Sequence, residues 1–153
     1  NKFDVTYTKT GTSAKGRVFV MQSGDSLRIK VTADIIVGET DTGGISFYFT
    51  PELKVTDILC SYSGDVTGQY LNAYHFFNAD SKYRTAVDIA HRNFSPTFDG
   101  GYGTVVLDLQ LSGHTALSDI DSLYFTVAVG GKEDIVGIVH EYINIPLLHS
   151  LTP

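Results

Sequence analysis

The histidine, cysteine and carboxylate side chains of this chain are those that could do chemistry, and their spacing decides which reactions are open to it. The five histidines do not occur in an HExxH arrangement or at another spacing that holds a metal ion. His140 and Glu141 are neighbours in a segment of strand character, so their side chains point to opposite faces. No Gly-x-Ser-x-Gly elbow is present, and the single cysteine, Cys60, is expected to be a small core residue. These features predict a protein that is not an enzyme. The histidines are His75, His91, His114, His140 and His149.

Two pairs of carboxylates are the remaining candidates for a reactive or metal-binding site. Asp119 and Asp121 lie in a turn-like segment, and Glu133 and Asp134 lie in a glycine-rich loop. A glycosidase needs two carboxylates about 5–9.5 Å apart across a substrate cleft, which sequence spacing alone does not establish. An acidic loop also suits calcium, but neither spacing is that of an EF-hand. We interpret both pairs as solvated and predict no metal or other cofactor on this chain.

Composition favours a single globular domain. With 153 residues and 42% hydrophobic residues, the chain is long enough to form one domain with a real core. The net charge of −6 and the scattered lysines and arginines argue against nucleic acid as a partner. Apolar runs are too short to cross a membrane, so we expect no membrane insertion. Because Asn1 is not a natural start, we expect a module excised from a larger protein.

Alternating hydrophobic and polar residues predict strands along almost the whole chain. The fold class that follows is all-β, a nine-stranded antiparallel β-sandwich with jelly-roll topology. Residues 1–15 are predicted as an N-terminal extension or edge strand, residues 16–147 as the sandwich, and residues 148–153 as a C-terminal linker. Segment 114–121 predicts a single helical turn, and residues 99–103 predict a glycine-rich turn. The nine strands are predicted at residues 18–21, 26–36, 45–50, 55–61, 73–78, 84–91, 104–111, 123–129 and 142–147.

The same alternation predicts which side chains form the core. In the segment Ile45 to Phe49, the odd positions point inward, while Ser46 and Tyr48 point outward. On the next strand, either Ile58 or Leu59 is inward. The other predicted core residues are Val18, Val20, Leu27, Ile29, Val31, Val55, Val87, Ile89, Val105, Leu107, Leu109, Leu111, Leu123, Phe125, Val127 and Val129.

Hydrophobic spacing and turns give the chain a resemblance to a known family. Gly24-Asp25 forms a turn before an alternating strand, and the segment from Gly44 to Val55 has the pattern Gly-Ile, Phe, Phe, Pro, Leu, Val. Residues 123–147 read as a strand, an acidic loop and a final strand. Together these features resemble the cohesin modules of bacterial cellulosomal scaffold proteins over residues 16 to 147. The chain departs from that pattern at Thr50, where the family usually has Asp, and in the loop at residues 39–43.

The resemblance implies a non-catalytic protein that binds a dockerin module and so recruits or anchors cellulosomal enzymes. In cohesins the face formed by the third, fifth, sixth and eighth strands contacts the dockerin, and any calcium belongs to the dockerin. It further implies a monomeric module within a secreted or cell-surface scaffold. The residues on the matching strands of this chain are Thr42, Ser46, Tyr48, Asn72, Tyr74, Phe76, Arg84, Ala86, Asp88, Ala90, Tyr124 and Thr126.

Two other functions stay open at this level. A carbohydrate-binding module would use the same sandwich and stack sugars on aromatic rings. The chain has nine Tyr and nine Phe but no Trp, which is the usual stacking platform. Between residues 70 and 77, aromatic side chains fall on both faces of the predicted strand. One of these faces is therefore apolar and is either exposed or covered by another element. An enzyme is the third hypothesis, and its candidate carboxylates are Asp88 and Glu141.

Overall fold

The computed structural model describes residues 1–38, 44–61, 71–75, 85–89, 101–113, 115–130 and 139–147, with residues 71–75 described by their backbone alone. The predicted linker at 148–153 lies outside these residues. Within them the chain is all-β, as predicted, apart from one 3₁₀ turn at Leu117–Asp119. None of the described helical segments is long and apolar enough to span a membrane. The strands are β1 (Lys2–Tyr7), β2 (Thr12–Ser23), β3 (Ser26–Val37), β4 (Ile45–Phe49), β5 (Leu53–Cys60), β6 (Leu71–His75), β7 (Thr85–Ile89), β8 (Gly101–Leu111), β9 (Leu123–Val129) and β10 (Val139–Ile145).

These strands form two sheets of five strands each. The first sheet has the order β1-β2-β3-β8-β5, and the second has the order β10-β9-β4-β7-β6. Every pairing between described strands is antiparallel. The described part of the chain therefore has one strand more than the nine predicted, because residues 2–7 pair with β2 as an edge strand.

The inward faces of the two sheets share one hydrophobic core. Phe47, Phe49 and Phe125 are among its largest fully buried side chains. The Phe49 and Phe125 rings of the second sheet have centroids 5.6 Å apart, and Phe3 of the first sheet meets Phe125 edge-on at 6.0 Å. This ring contact joins the two layers in a sandwich-like arrangement, in which each layer hides the apolar face of the other from water.

The alternation predicted from the sequence is confirmed along the long strands. The inward residues of β3, β4, β7, β8 and β9 are buried, while Val20, Val55 and Leu111 are partly buried against the core. Of the two options on β5, Ile58 packs on the core and Leu59 is 60% exposed. A register shift between Val55 and Asp57 explains this, because one extra residue moves the inward phase from odd to even positions.

Strand β1 contributes to the core, which the predicted core set omitted. Phe3, Val5 and Tyr7 are all buried. Asn1 also reaches the other sheet, because its Nδ2 donates a hydrogen bond to the carbonyl oxygen of Asn144 at 2.6 Å. Residues 2–7 therefore close the open side of the two layers near β10.

The turn predicted at residues 99–103 is wrong from residue 101 onward. Strand β8 begins at Gly101, and its backbone pairs Gly101 with Val37 and Tyr102 with Ile36. Glycine permits a turn but does not require one, and the long β3 offers backbone partners as far as Val37. Pairing with β3 places Tyr102 on the outer face of the first sheet, where its side chain is 72% exposed.

Replacing Phe47 by Ala should lower the free energy of unfolding by about 3–5 kcal/mol, because it removes a fully buried ring. The matched control is Phe19→Ala, which truncates a ring that is 48% exposed on the outer face of the first sheet. The control should cost about 1 kcal/mol or less. Urea unfolding of the three proteins measures both changes, and equal losses would mean that the register of β4 is shifted by one residue.

Replacing Gly16 by Ala should also destabilise the fold, because the new Cβ would clash with the carbonyl oxygen of Thr32 and the ring of Phe3. We expect a loss of about 1–3 kcal/mol in the free energy of unfolding. Gly113→Ala is the control, since a Cβ there meets no atom within 4 Å. Thermal unfolding compares the two, and a Gly16 variant as stable as the Gly113 variant would contradict the close packing of β1 on β2.

Candidate partner-binding face

The outer face of the second sheet carries six of the residues that the resemblance to cohesins singled out. On β4 the inward side chains of Ile45, Phe47 and Phe49 are fully buried, so Ser46 and Tyr48 point away from the core. The neighbouring strands add Ala86 and Asp88 from β7. We call this surface the partner face and define it by its outward residues, Ser46, Tyr48, Ala86, Asp88, Tyr124, Thr126, Ala128, His140, Tyr142 and Asn144.

Cross-strand register arranges these residues in rows across the sheet. One row pairs Tyr74 with Ala86, Ala86 with Tyr48, Tyr48 with Thr126, and Thr126 with Tyr142. At the level of sequence position, this row alternates tyrosines with small residues across five strands. Small residues between large ones leave hollows into which side chains of a partner can fit.

A second row runs parallel to the first and lies two residues away along each strand. It pairs Asn72 with Asp88, Asp88 with Ser46, Ser46 with Ala128, and Ala128 with His140. Of the residues predicted for the site, the structure thus brings together Ser46, Tyr48, Ala86, Asp88, Tyr124 and Thr126. Only the backbones of Asn72 and Tyr74 are described, and Thr42, Phe76, Arg84 and Ala90 lie outside the described residues.

The centre of the partner face is covered, which differs from the open platform that we expected. Ala86 is 0% exposed, Thr126 5%, Asp88 6% and Ser46 8%. Part of the reason is local, because Ala86 and Thr126 flank Tyr48, whose larger side chain stands higher above the sheet. Residues at the centre therefore shape the face and hold its register, and a partner that leaves the fold unchanged does not reach them.

A buried hydrogen bond holds the centre of this face together. The hydroxyl of Ser46 donates to Oδ1 of Asp88 at 2.6 Å across the β4–β7 pair. Burial raises the pKa of the Tyr48 phenol, a hydrogen bond with Ser46 opposes this rise, and the Asp88 carboxylate adds to it. The phenol therefore stays neutral at neutral pH. A short hydrogen bond to a carboxylate in a water-poor place fixes both side chains more firmly than a surface contact would.

The exposed part of the partner face is its margin at β9 and β10. Tyr142 is 54% exposed, His140 and Asn144 are exposed, and Tyr124 is half-buried. The ring of Tyr142 lies edge-on to Tyr124 and to His140, with centroid distances of 5.9 Å in both pairs. Three aromatic rings in contact at the surface are the kind of feature that anchors a protein partner.

Sequence reasoning missed Tyr142 because the last strand was not among the four strands that the resemblance assigned to the partner, and it missed His140 because it also began that strand too late. The prediction started that strand at Tyr142, whereas β10 begins at Val139 and pairs His140 with Ala128. The alternation of Ile143 and Ile145 with polar residues was a usable signal, since period two directs Asn144, Tyr142 and His140 to the face opposite the two isoleucines, which are buried.

The described residues offer little to the enzyme and calcium hypotheses. They contain no group of three or more His, Cys, Asp or Glu that could hold a metal ion. Asp119 and Asp121 are exposed at the 3₁₀ turn, as predicted, and Glu133 and Asp134 lie outside the described residues. Glu141 comes from β10 and is exposed, whereas Asp88 is buried and hydrogen bonded to Ser46.

Comparison with known proteins adds no relative from which a role could be transferred. No protein-family model, curated protein or solved structure matches the chain significantly. The argument for function therefore depends on the residues of the partner face and on the strand arrangement.

Replacing Ser46 by Ala should lower the free energy of unfolding by about 1–3 kcal/mol, because it removes a hydrogen-bond donor from a buried carboxylate. The double variant Ser46→Ala/Asp88→Ala should lose less free energy of unfolding than the sum of the losses in the two single variants, because the two side chains act as a unit. Denaturant unfolding of the four proteins gives the coupling free energy.

The control for this cycle is the pair Thr104 and Asp34 on the other sheet. The Thr104 hydroxyl donates to Oδ1 of Asp34 at 3.1 Å, but this hydrogen bond is exposed. Its coupling should be close to zero, because water replaces an exposed partner at little cost. Additive losses at Ser46 and Asp88 would contradict the buried hydrogen bond.

Proposed function

We propose that this chain is a non-catalytic, cohesin-like module that binds a dockerin module through the partner face. In this role it recruits or anchors enzymes of a polysaccharide-degrading complex on a larger scaffold protein. The observation that carries the proposal is the exposed aromatic margin of Tyr124, Tyr142 and His140, which continues a row of alternating large and small residues. Aromatic anchors of this kind provide most of the affinity at protein interfaces.

The strand arrangement supports the cohesin-like fold, including its jelly-roll topology. Between β3 and β9 the chain crosses from one sheet to the other at β3–β4, β4–β5, β5–β6, β7–β8 and β8–β9. Repeated crossing of this kind is how a jelly roll builds two sheets from one chain. With β1 set apart as an edge strand, β2 to β10 would be the nine strands of the module.

The burial pattern refines how a dockerin would bind. Because Ser46, Ala86, Asp88 and Thr126 are nearly inaccessible, they support the face from below. The direct contacts then come from Tyr142, Tyr124, His140 and the exposed part of Tyr48. In this proposal calcium is bound by the dockerin, the module is monomeric, and the parent scaffold is secreted or attached to a bacterial cell surface.

Replacing Tyr142 by Ala should weaken dockerin binding by about 1–3 kcal/mol, because an exposed aromatic anchor is lost. The variant should unfold at nearly the same temperature as the parent protein. Isothermal titration against a panel of calcium-loaded dockerins measures the affinity, and Phe19→Ala on the opposite sheet serves as the control. The proposal fails if the parent protein binds none of the dockerins, or if Phe19→Ala weakens binding as much as Tyr142→Ala.

A carbohydrate-binding module is the alternative function, and the same titrations separate the two. Saturable binding of a glycan that is lost in Tyr142→Ala, with no dockerin bound, would assign the partner face to carbohydrate. Dockerin binding that depends on Tyr142 assigns it to protein.

A further inference from the structure

A second surface with different chemistry lies on the opposite side of the molecule, on the outer face of the first sheet. It is an open groove of about 650 Å³ that runs across β1, β2, β3 and β8. Gly16 of β2 is among the residues that line it. Binding sites for small ligands typically have volumes of about 300–1,000 Å³. Its polar lining comprises Lys2, Asp4, Lys15, Arg17, Asp34 and Thr104, with Glu141 of β10 at its border.

The charges around this groove are balanced and interleaved. Asp4 pairs across the strands with Lys15, Lys15 with Asp34, and Asp34 with Thr104. The Lys15–Asp4 ion pair spans 3.9 Å, and both side chains are more than half exposed, at 63% and 60%. Such a pair contributes little to stability, so its groups can turn to a ligand at small cost.

This arrangement selects a ligand by charge. The carboxylates of Asp4, Asp34 and Glu141 repel phosphates and nucleic acids, while Lys2, Lys15 and Arg17 compensate them. The core of a protein interface is depleted in charged residues, and this floor is rich in them. A neutral ligand with many hydroxyl groups fits best, because each hydroxyl both donates to a carboxylate and accepts from a lysine or arginine.

An aromatic platform borders the groove. Tyr102 of β8 is 72% exposed, and its cross-strand neighbour Ile36 is 53% exposed. The next outward pair along these strands is Thr104 and Asp34, about 7 Å away, which is the spacing of two residues in a strand. Large exposed apolar side chains beside a polar groove indicate a binding surface.

We propose that this groove binds a neutral oligosaccharide. One sugar ring lies on the face of Tyr102 and contacts Ile36, and the hydroxyls of the adjoining sugar bind Asp34, Thr104 and Lys15. Carbohydrates match the surface because each ring has an apolar face of C–H groups and a rim of hydroxyls. The site lies on the sheet opposite the partner face, so it does not depend on the proposed function.

Isothermal titration of the full chain with cellohexaose, xylohexaose and mannohexaose tests the proposal. We expect saturable binding of at least one of them, with the affinity reduced at least tenfold in Tyr102→Ala and in Asp34→Ala. Tyr142→Ala on the partner face is the matched control and should bind the same sugar as the parent protein does. Thermal unfolding checks that each variant keeps the fold.

Three results would overturn the proposal. The first is that none of the three hexasaccharides binds to the folded parent protein. The second is that binding survives in Tyr102→Ala and is lost in Tyr142→Ala, which would place the sugar on the partner face. The third is that oligogalacturonate binds in place of the neutral sugars, which would show that the groove selects an anion. Dockerin titrations of Tyr102→Ala keep the two proposals separate, since that variant should bind a dockerin like the parent protein.

Discussion

The rest of the structure depends on the burial of one side of β4. Ile45, Phe47 and Phe49 are completely buried in the centre of the second sheet, between β9 and β7. Each such side chain contributes roughly 1.5–3 kcal/mol by leaving water. Because strand side chains alternate, this burial forces Ser46 and Tyr48 outward, and a slip of one residue would expose the three apolar groups. The partner face thus exists because its reverse side is the core.

The two outer faces of the molecule differ in their chemistry. On the partner face, short side chains lie between tyrosines, and the one buried carboxylate among the residues described there, Asp88, accepts a hydrogen bond from Ser46. The side chains at its centre are buried, so in the proposed function a partner contacts the rings at the margin. On the first sheet, exposed carboxylates and cations alternate beside Tyr102. Hydrated charges of both signs suit a ligand that carries hydroxyls, whereas rings and hollows suit a folded partner.

Much of the fold follows from the alternation in the sequence, and its errors have local causes. The inward residues of β3, β8 and β9 were predictable. Apolar and polar side chains alternate along these strands, and only one choice of inward face buries the apolar ones. The direction of Leu59 was ambiguous because a bulge on β5 shifts the alternation of inward and outward side chains by one residue. No residue pattern in the sequence predicts that bulge. The start of β8 was underestimated because it pairs with β3, which is distant in the chain, and the core role of β1 was missed because Phe3 packs on Phe125 of the distant β9. Tyr102 and His140 consequently moved from predicted turns or strand ends to outer faces.

The sequence by itself determined the all-β class, the inward and outward phases of the main strands, and therefore which residues of β4, β7 and β9 share a face. These features follow from the alternation of apolar and polar residues along each strand and from the free-energy cost of exposing apolar groups to water. Only the tertiary structure decided that Ser46 and Asp88 meet, that the centre of the partner face is covered, and that Tyr142, Tyr124 and His140 form its exposed margin. Those facts depend on which strands lie side by side and in what register, and such long-range pairing is set by the packing of the whole core.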